Sequence, residues 1–315
     1  MTAGAPFRIT GWGLAAPARV VTNADLERTL DTSDEWIRTR SGIAERRWTR
    51  PHETTAGLAV EAATAALKSA GRTPAELGLV LIATCTPDQQ IPQTAAAVCE
   101  GLGVTCGSFD VHGACAGFVQ ALIAGGGMVA ASPGPVLVVG AERLTSVTDP
   151  TDRTTAVLLA DGAGALVLEP DDDSGAGLLG WDAGTDGAAR PYLEIPEGQR
   201  FLHMDGGEVF RRAVRVVVES TTTALERAGL TVDDVALFVP HQANARIIEA
   251  ARGRLGIPED RTCVNVDRWG NTSAASIPIA LAEAATAGRI SPGDVVLLSG
   301  FGAGMTWASA AVRWS

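Results

Sequence analysis

The residue best suited to covalent chemistry is Cys115, in the segment FDVHGACAGF (109–118). A β-like stretch ends near His112 and a long helical pattern begins at Gly117, which predicts a strand-to-helix corner around the sulfur. Small neighbours allow a tight turn there. Free N–H groups at a helix start favour the nucleophilic thiolate over the thiol. We therefore predict that Cys115 is a nucleophile activated by its position, the alternative being a structural cysteine in a glycine-rich turn.

Two polar residues in the second half of the chain are candidate helpers. His241 ends an apolar run and precedes a helical pattern, so we expect it at the carboxyl end of a strand, where ligand sites of α/β sheets cluster. A nucleophilic cysteine usually needs an imidazole. Asn271, in WGNTSAASIP (269–278), donates hydrogen bonds without becoming charged. A structural histidine and an ordinary helix N-cap are the alternatives, and His112 is read as structural.

Composition narrows the classes of function. The 315 residues are 46% hydrophobic and 19% charged, which is typical of a compact globular protein, and the net charge of −11 argues against nucleic acid as the main partner. We find no leader peptide and no run of about 20 apolar residues, and so expect a cytosolic protein that does not enter a membrane. The five cysteines form no C-x-x-C pair, so neither a disulfide framework nor a metal site is expected. The remaining cysteines are expected to be small buried hydrophobes: Cys85, Cys99, Cys106 and Cys263.

The chain contains an internal repeat at an offset of 158 or 159 residues. LKSAGRTPAELGLVL (67–81) matches LERAGLTVDDVALFV (225–239), and the dipeptide Pro-Gly before an apolar run recurs at 133–134 and 292–293. Each copy alternates apolar strand patterns with Ala-rich helical patterns, which indicates a sheet buried on both faces. The acidic stretch EPDDDSGAG (169–177) is the predicted linker. Predicted strands are 80–83, 136–139, 165–168, 236–239 and 295–298, and predicted helices are 54–70, 117–130, 209–228, 243–255 and 274–287.

Five motifs together resemble the β-ketoacyl-(acyl carrier protein) synthase III family of the thiolase-like superfamily. They are DTSDEWIRTRSGIAERR (31–47), GACAGF (113–118), PHQAN (240–244), WGNTSAASIP (269–278) and GFGAGMTWAS (300–309). The resemblance implies a duplicated thiolase-like α/β fold, a five-layer α/β/α/β/α sandwich of two halves related by a pseudo-twofold axis. Residues 1–170 would carry the nucleophilic cysteine, and residues 171–315 the histidine and asparagine.

The resemblance also implies an activity. Cys115 would take the acyl group of a short acyl-CoA as a thioester, and malonyl-acyl carrier protein would follow. His241 and Asn271 would donate hydrogen bonds to the malonyl thioester oxygen as CO₂ departs, and the carbanion would attack the acyl-cysteine. The product would be a 3-oxoacyl-acyl carrier protein that initiates fatty acid biosynthesis. No cofactor beyond these two substrates is implied, and a homodimer is expected.

Further roles follow from the same resemblance. The backbone N–H groups of Cys115 and Ala303 would form the oxyanion hole. CoA would be bound by Trp36, Arg40, Arg153, Gly206 and Asn244. The acyl pocket would be lined by Phe210 and by Ile91, the latter often from a partner subunit. The acidic carrier protein would contact Gln242, Ala243, Asn244, Ala245 and Arg246. Nearby basic residues on two helical patterns are Arg252, Arg254, Arg211, Arg212 and Arg215.

Other functions share parts of this pattern. The nearest alternatives are a starter-unit priming synthase of polyketide metabolism and an acyltransferase that passes the group from Cys115 to a hydroxyl or amine. Asn271 favours condensation, because simple transfer needs no stabilised enolate. A thiolase is disfavoured, since no second cysteine stands in a glycine-rich C-terminal loop. Two less favoured alternatives are a catalytically silent dimer partner and a cysteine hydrolase.

Overall fold

Two five-stranded sheets form the centre of the computed structural model, which describes residues 4–171 and 174–315. The strands are β1 (Ala5–Pro6), β2 (Arg8–Ala15), β3 (Val20–Thr22), β4 (Glu45–Arg47), β5 (Leu79–Ala83), β6 (Gly107–Val111), β7 (Val136–Arg143), β8 (Asp161–Glu169), β9 (Gly177–Thr185), β10 (Leu193–Glu194), β11 (His203–Met204), β12 (Val235–Pro240), β13 (Val295–Gly302) and β14 (Thr306–Arg313). The helices are α1 (Asn23–Leu26), α2 (Asp34–Ser41), α3 (Thr55–Ala70), α4 (Thr94–Leu102), α5 (Gly117–Met128), α6 (Arg153–Ala156), α7 (Gly206–Ala228), α8 (Ala245–Leu255), α9 (Val266–Trp269) and α10 (Ser276–Thr286). The predicted strands lie at β5, β7, β8, β12 and β13, and the predicted helices at α3, α5, α7, α8 and α10.

The two sheets repeat one topology. The first has the order β2-β8-β7-β5-β6 and the second β1-β9-β14-β13-β12. In both, the strand after the long helix pairs in parallel with a central strand (β5 with β7, β12 with β13), and the last two strands form an antiparallel pair. An isolated parallel bridge from Phe238 to Thr262 stands where the first sheet has β6. The predicted duplication is therefore confirmed.

Alternating side chains bury each sheet on both faces. In β5, Leu81 faces α5 and α10 in the cluster between the sheets, whereas Val80 and Ile82 pack against α3 and α4. In β13, Leu298 faces the same central cluster, whereas Leu297 packs with α7 and α8. The layers are thus helix, sheet, helix, sheet, helix, as predicted, because strands covered on both sides bury nearly all of their apolar surface.

The repeated connection from helix to strand has a local cause. Helix α3 ends at Gly71 (φ 65°) and α7 at Gly229 (φ 69°), both in the left-handed conformation that glycine adopts without strain. In the turns that follow, Thr73 and Thr231 each form a capping box with an acidic residue three positions on. The chain then enters β5 and β12. The same capping residues therefore give the same backbone turn between helix and strand in the two copies.

The predicted linker lies only partly within the described residues. It runs from Glu169 at the end of β8 to Gly177 at the start of β9, and Asp172 and Asp173 lie outside the described residues. Strand β1, near the start of the chain, pairs with β9 of the second sheet. The division into residues 1–170 and 171–315 stays a prediction.

One helical segment, Ala114–Ala131, is long and apolar enough to cross a membrane by length and composition. We did not expect such a segment from the sequence. Just over half of the segment (56%) is buried inside the protein, and α5 within it packs between the two sheets. Its place in the central layer accounts for the apolar composition, because both of its faces meet apolar strands.

Candidate active site

A cavity of about 1160 Å³ opens where the two halves meet. Its wall includes Cys115 from the first half and His241 and Asn271 from the second. His241 follows β12 directly, as predicted. The fold therefore brings together three residues that lie up to 156 positions apart in the chain.

Two equivalent corners position the cysteine and the asparagine. Cys115 lies in the 3-10 turn Ala114–Ala116 ahead of α5, and Asn271 stands just before the turn Ser273–Ala275 ahead of α10. Each turn starts at a residue with left-handed backbone, φ 46° at Ala114 and φ 49° at Ser273. These two positions are 159 residues apart, which is the repeat offset. The duplication therefore extends to the strained residue of each corner.

Glycines in the second half of the chain leave space for the turn that carries Cys115. A Cβ on Gly302 of β13 would lie 2.6 Å from the Cys115 nitrogen, and one on Gly300 would lie 2.9 Å from the Ala116 Cα. Conversely, a Cβ on Gly140 of β7 would lie 2.3 Å from the Ala274 carbonyl oxygen. Each corner thus packs against the other copy's sheet, so the site needs both halves.

Burial of the Cys115 thiol opposes the predicted activation by position. Cys115 lies in the turn two residues ahead of Gly117, where α5 begins, and lines the cavity from there. Burial raises the pKa of the Cys115 thiol to about 12; a hydrogen bond with Ser273 lowers it and the Glu142 carboxyl raises it. Desolvation is the largest of these effects. The thiol must therefore lose its proton as it attacks, and a nearby group has to accept it.

His241 is buried and uncharged. Its Nδ1 lies 2.6 Å from the Ser276 hydroxyl oxygen, and its ring meets the Phe301 ring edge-on at 5.4 Å. Burial lowers the pKa of His241 to about 3, so the ring is neutral at neutral pH. The Ser276 hydroxyl can donate to Nδ1 or accept from it, so Nε2 can present either a hydrogen or a lone pair to the cavity. Sequence reasoning missed Ser276, although it lies in the motif that carries Asn271.

Only the oxygen of the Asn271 side-chain amide is hydrogen-bonded within the described residues. Its Oδ1 accepts a hydrogen bond from the Ser273 backbone N–H at 2.9 Å, which resembles the capping role considered above. Its backbone is fixed by bonds to Leu158 and Ala160. Within residues 4–171 and 174–315, no acceptor binds Nδ2. Because Asn271 lines the cavity, Nδ2 is available there as a donor.

Ala303 lines the cavity beside the nucleophile. It starts a 3-10 turn directly after β13 and follows Gly302, the residue packed against the Cys115 nitrogen. The backbone amides of Cys115 and Ala303 thus come from opposite halves to one part of the cavity. Such a pair of amides is the arrangement that an oxyanion hole requires.

The residues expected to hold CoA lie together at one side of the cavity. The Trp36 ring has the Arg40 guanidinium at 5.2 Å and that of Arg153 at 5.1 Å. Asn244 caps α8, and its Nδ2 donates to the Arg40 carbonyl oxygen at 2.9 Å. Gly206 starts α7 and lines the cavity. A planar base can stack on an indole beside guanidinium groups, so the cluster fits the predicted role.

Several predicted contacts lie elsewhere. Ile91 is 88% exposed and does not line the cavity of its own chain. Phe210 does line it, and the guanidinium carbon of the exposed Arg246 lies 5.5 Å from the centre of its ring. Gln242 is buried, donates to two carbonyl oxygens and accepts from the Asn265 N–H, so it is not offered to a carrier protein, contrary to the prediction. Ala243 is buried as well.

The predicted basic residues differ in their partners. Arg211 and Arg212 pair with Glu208, and Arg252 pairs with Glu249 at 2.6 Å. Among the predicted basic residues, Arg215, Arg246 and Arg254 are exposed and have no carboxylate partner in the part of the chain that the structure describes. Of the five predicted carrier-protein contacts, only Arg246 is fully exposed; Ala245 is half-buried beside Gly42, and Asn244 is half-buried as well.

Cys85 and Glu142, to which we assigned no catalytic role from the sequence, lie close to the nucleophile. Cys85, expected to be a buried hydrophobe, lines the cavity, and its thiol donates to Glu142 at 3.2 Å. Cys85 comes two residues after the end of β5, and the repeat offset gave no signal for it, since His241 corresponds to Ala83. Cys99 and Cys263 are buried, as predicted, and Cys106 is half-buried. Among the described residues, no three His, Cys, Asp or Glu side chains form a metal-ligating group.

Comparisons with known proteins find similarity over nearly the whole chain. The family model for 3-oxoacyl-(acyl-carrier-protein) synthase III matches residues 109–187, and the model for its C-terminal part matches 225–314. A β-ketoacyl-(acyl-carrier-protein) synthase III of Roseiflexus castenholzii is 49% identical over 98% of both chains. The crystal structure of the synthase III of Aquifex aeolicus is 41% identical, with a TM-score of 0.94 over 98% of this chain and 100% of that one. A priming β-ketosynthase of a polyketide pathway is 38% identical, with a TM-score of 0.91 over 100% and 98%.

Proposed function

The chain belongs to the 3-oxoacyl-(acyl-carrier-protein) synthase III family of condensing acyltransferases, and from that premise we propose that it joins an acyl-CoA starter to malonyl-acyl carrier protein. The acyl group passes through a thioester on Cys115, and the 3-oxoacyl product initiates fatty acid biosynthesis. One observation carries the proposal: Cys115, the neutral His241 and the free amide nitrogen of Asn271 line one cavity. The catalytic roles of Cys115, His241 and Asn271 are part of this proposal.

In the first half-reaction, the Cys115 sulfur attacks the acyl carbonyl and CoA leaves. Since the thiol pKa is about 12, the proton departs during attack, by way of the Nε2 lone pair of His241, and ends on the CoA sulfur. The amides of Cys115 and Ala303 bind the tetrahedral oxyanion. Trp36, Arg40 and Arg153 hold the nucleotide end of CoA, with Gly206 and Asn244 along its arm.

In the second half-reaction, malonyl-acyl carrier protein loses CO₂. The electron pair of the breaking C–C bond moves into an enolate, whose oxygen receives hydrogen bonds from Nε2–H of His241 and Nδ2–H of Asn271. Neutral donors suit this step, because a carboxylate in place of Asn271 would repel the developing charge. The enolate carbon then attacks the acyl-cysteine, the C–S bond breaks, and Cys115 leaves as a thiolate that takes up one proton from solvent to restore the thiol.

The tautomer of His241 gives a testable consequence. Ser276→Ala removes the hydroxyl bound to Nδ1, so we expect decarboxylation of malonyl-acyl carrier protein to fall about tenfold, the equivalent of about 1.4 kcal/mol. The measurement is CO₂ release at saturating substrate. The matched control is Ser309→Ala, which removes an equally buried hydroxyl bound to Ser299 and should leave the rate unchanged. Equal losses in both variants would contradict the role of Ser276.

Carrier-protein docking at Arg246 is also testable. This exposed cation lies at the cavity opening without a carboxylate partner among the described residues, and carrier proteins are acidic. Arg246→Glu should raise the KM for malonyl-acyl carrier protein about tenfold, while acylation of Cys115 by acyl-CoA survives. Arg313→Glu makes the same charge change at the far end of β14 and should leave the KM unchanged. Equal loss of both half-reactions in Arg246→Glu would refute the assignment.

A homodimer belongs to the same proposal. Strand β6 is an edge of the first sheet and is only partly covered. Ile91 lies on the segment 87–93, which is exposed throughout. A second copy placed against this face would cover the edge and bring Ile91 to the partner's acyl pocket, the position the family resemblance implies. The cytosolic location stays a prediction.

The decisive product experiment uses the purified protein, a series of acyl-CoAs and malonyl-acyl carrier protein, with all species read by mass. We expect an acyl adduct on Cys115, release of CO₂ and a 3-oxoacyl-acyl carrier protein. An adduct without CO₂ would point to transfer onto a hydroxyl or amine, and no adduct would point to a silent partner. The likeness to a priming β-ketosynthase supports polyketide priming as the second candidate, and a preference for longer or branched starters would favour it.

A further inference from the structure

A fully buried carboxyl group lies behind the cavity wall. Glu142, near the end of β7, has no exposed surface, and no Lys or Arg among the described residues binds its side chain. Instead it meets donors from four residues. These are the Thr84 hydroxyl (3.1 Å), the backbone N–H (3.1 Å) and thiol (3.2 Å) of Cys85, the Thr86 hydroxyl (2.5 Å) and the Ser273 hydroxyl (3.0 Å).

The donors around Glu142 fit a carboxylate. The Thr86 hydroxyl oxygen accepts from the Arg143 N–H, and the Thr84 oxygen accepts from the Thr86 N–H, so both hydroxyl hydrogens are left for Glu142. A carboxylate only accepts and has about four lone-pair positions, which this ring of donors fills. Burial raises the pKa of Glu142 and the donors oppose that shift. A group with this many directed bonds holds its partners in place.

One of those partners controls Asn271. Ser273 is 131 positions away from Glu142, in the other half of the chain, and it adopts a left-handed backbone (φ 49°) that costs free energy in a residue with a side chain. Its hydroxyl donates to Glu142, while its backbone N–H donates to Oδ1 of Asn271. The bond to Oδ1 decides which end of the amide faces the cavity. Glu142 therefore holds the turn that aims Nδ2 at the substrate.

We propose that Glu142 is a positioning residue for decarboxylation, acting through Ser273 on the amide of Asn271. It does not touch substrate and transfers no proton; its negative charge is balanced by the surrounding donors. The inference rests on the proposed function, since it assigns Glu142 to the step in which Asn271 binds the enolate. Glu142 acts more on decarboxylation than on acylation, because acylation of Cys115 does not use the Asn271 amide, although the Ser273 hydroxyl also hydrogen-bonds the Cys115 thiol.

The test compares both half-reactions in one preparation. Glu142→Gln keeps the shape but turns an NH₂ group towards donors, so at least one bond is lost. We expect CO₂ release from malonyl-acyl carrier protein to fall about tenfold, whereas single-turnover acylation of Cys115 should not slow, because the Glu142 charge raises the pKa of the thiol and its removal does not hinder attack. Ser273→Gly accepts the positive φ and removes the side chain, including the hydroxyl that also contacts the Cys115 thiol, so CO₂ release should again fall about tenfold and acylation should fall less. The double variant should be no slower than Glu142→Gln.

Glu169→Gln is the matched control. It alters a buried carboxyl bound to Arg72 and Thr10 at the opposite end of β8 from the site, so the ratio of the two rates should stay at the wild-type value. Equal losses of both half-reactions in Ser273→Gly, or no loss in either variant, would overturn the inference. If Glu142→Gln does not fold, Ser273→Gly decides alone. A wild-type protein that acylates Cys115 but releases no CO₂ would instead refute the proposed function.

Discussion

Replacing Cys115 with alanine is expected to lower condensation by about 10⁴-fold or more, because the covalent carrier of the acyl group is lost. The change is small in volume, and Ala114 and Ala116 already flank the site, so the corner should keep its shape. His241 and Asn271 stay in place, so decarboxylation of malonyl-acyl carrier protein should persist. Mass measurement of the protein after incubation with acyl-CoA, together with CO₂ release, checks both expectations.

Cys263→Ala is the control for that experiment, since it removes a buried thiol that lies outside the active-site cavity. It should give the wild-type adduct. An adduct that persists in Cys115→Ala would identify another nucleophile, and Cys85 is the second thiol in the cavity wall. If Cys115→Ala loses both the adduct and CO₂ release, the enolate site depends on the cysteine.

Asn271→Asp is expected to lower condensation by about 10²- to 10³-fold, the effect of removing one preorganised donor. The shape is nearly unchanged, and the Ser273 N–H can still bind the side-chain oxygen. An ionised carboxylate, however, has no hydrogen to donate and repels the enolate. Acylation of Cys115 should remain within about twofold of the wild-type rate, measured by single-turnover mass spectrometry.

The pH dependence of Asn271→Asp sharpens that expectation. Partial burial disfavours the charged form, and a protonated carboxyl can donate a hydrogen bond. The decarboxylation rate of this variant should therefore rise, relative to the wild type, as the pH falls through the pKa of the new group. Parallel profiles, or a loss of acylation equal to the loss of condensation, would contradict the assignment of Asn271 to the enolate.

The elements of the fold were predictable where local chemistry decides the backbone. The glycine-ended helices and capping boxes before β5 and β12 follow from adjacent residues, and so does the corner at Cys115. The repeat offset then related Asn271 to that corner. Because these signals are local and occur twice, the sequence carries them strongly.

The contacts of the site were less predictable, because they join residues far apart in the chain. Gln242 stands in a surface-like motif, yet its amide is buried against the Cys263 carbonyl. Glu142 ends an apolar strand, and only the packing of the opposite corner gives it Ser273 as a partner. The pKa of Cys115 depends on how much water the two halves exclude, which the helix start alone does not indicate.

The most direct test of the central claim follows the mass of Cys115 through one turnover. The protein is first loaded with an acyl-CoA, freed of excess CoA and then mixed rapidly with malonyl-acyl carrier protein. A covalent path through Cys115 requires the acyl adduct to disappear at the same rate as CO₂ and 3-oxoacyl-acyl carrier protein appear, in equal amounts. An adduct that survives while the 3-oxoacyl product accumulates would contradict it, because the acyl group would then reach the product without passing through Cys115.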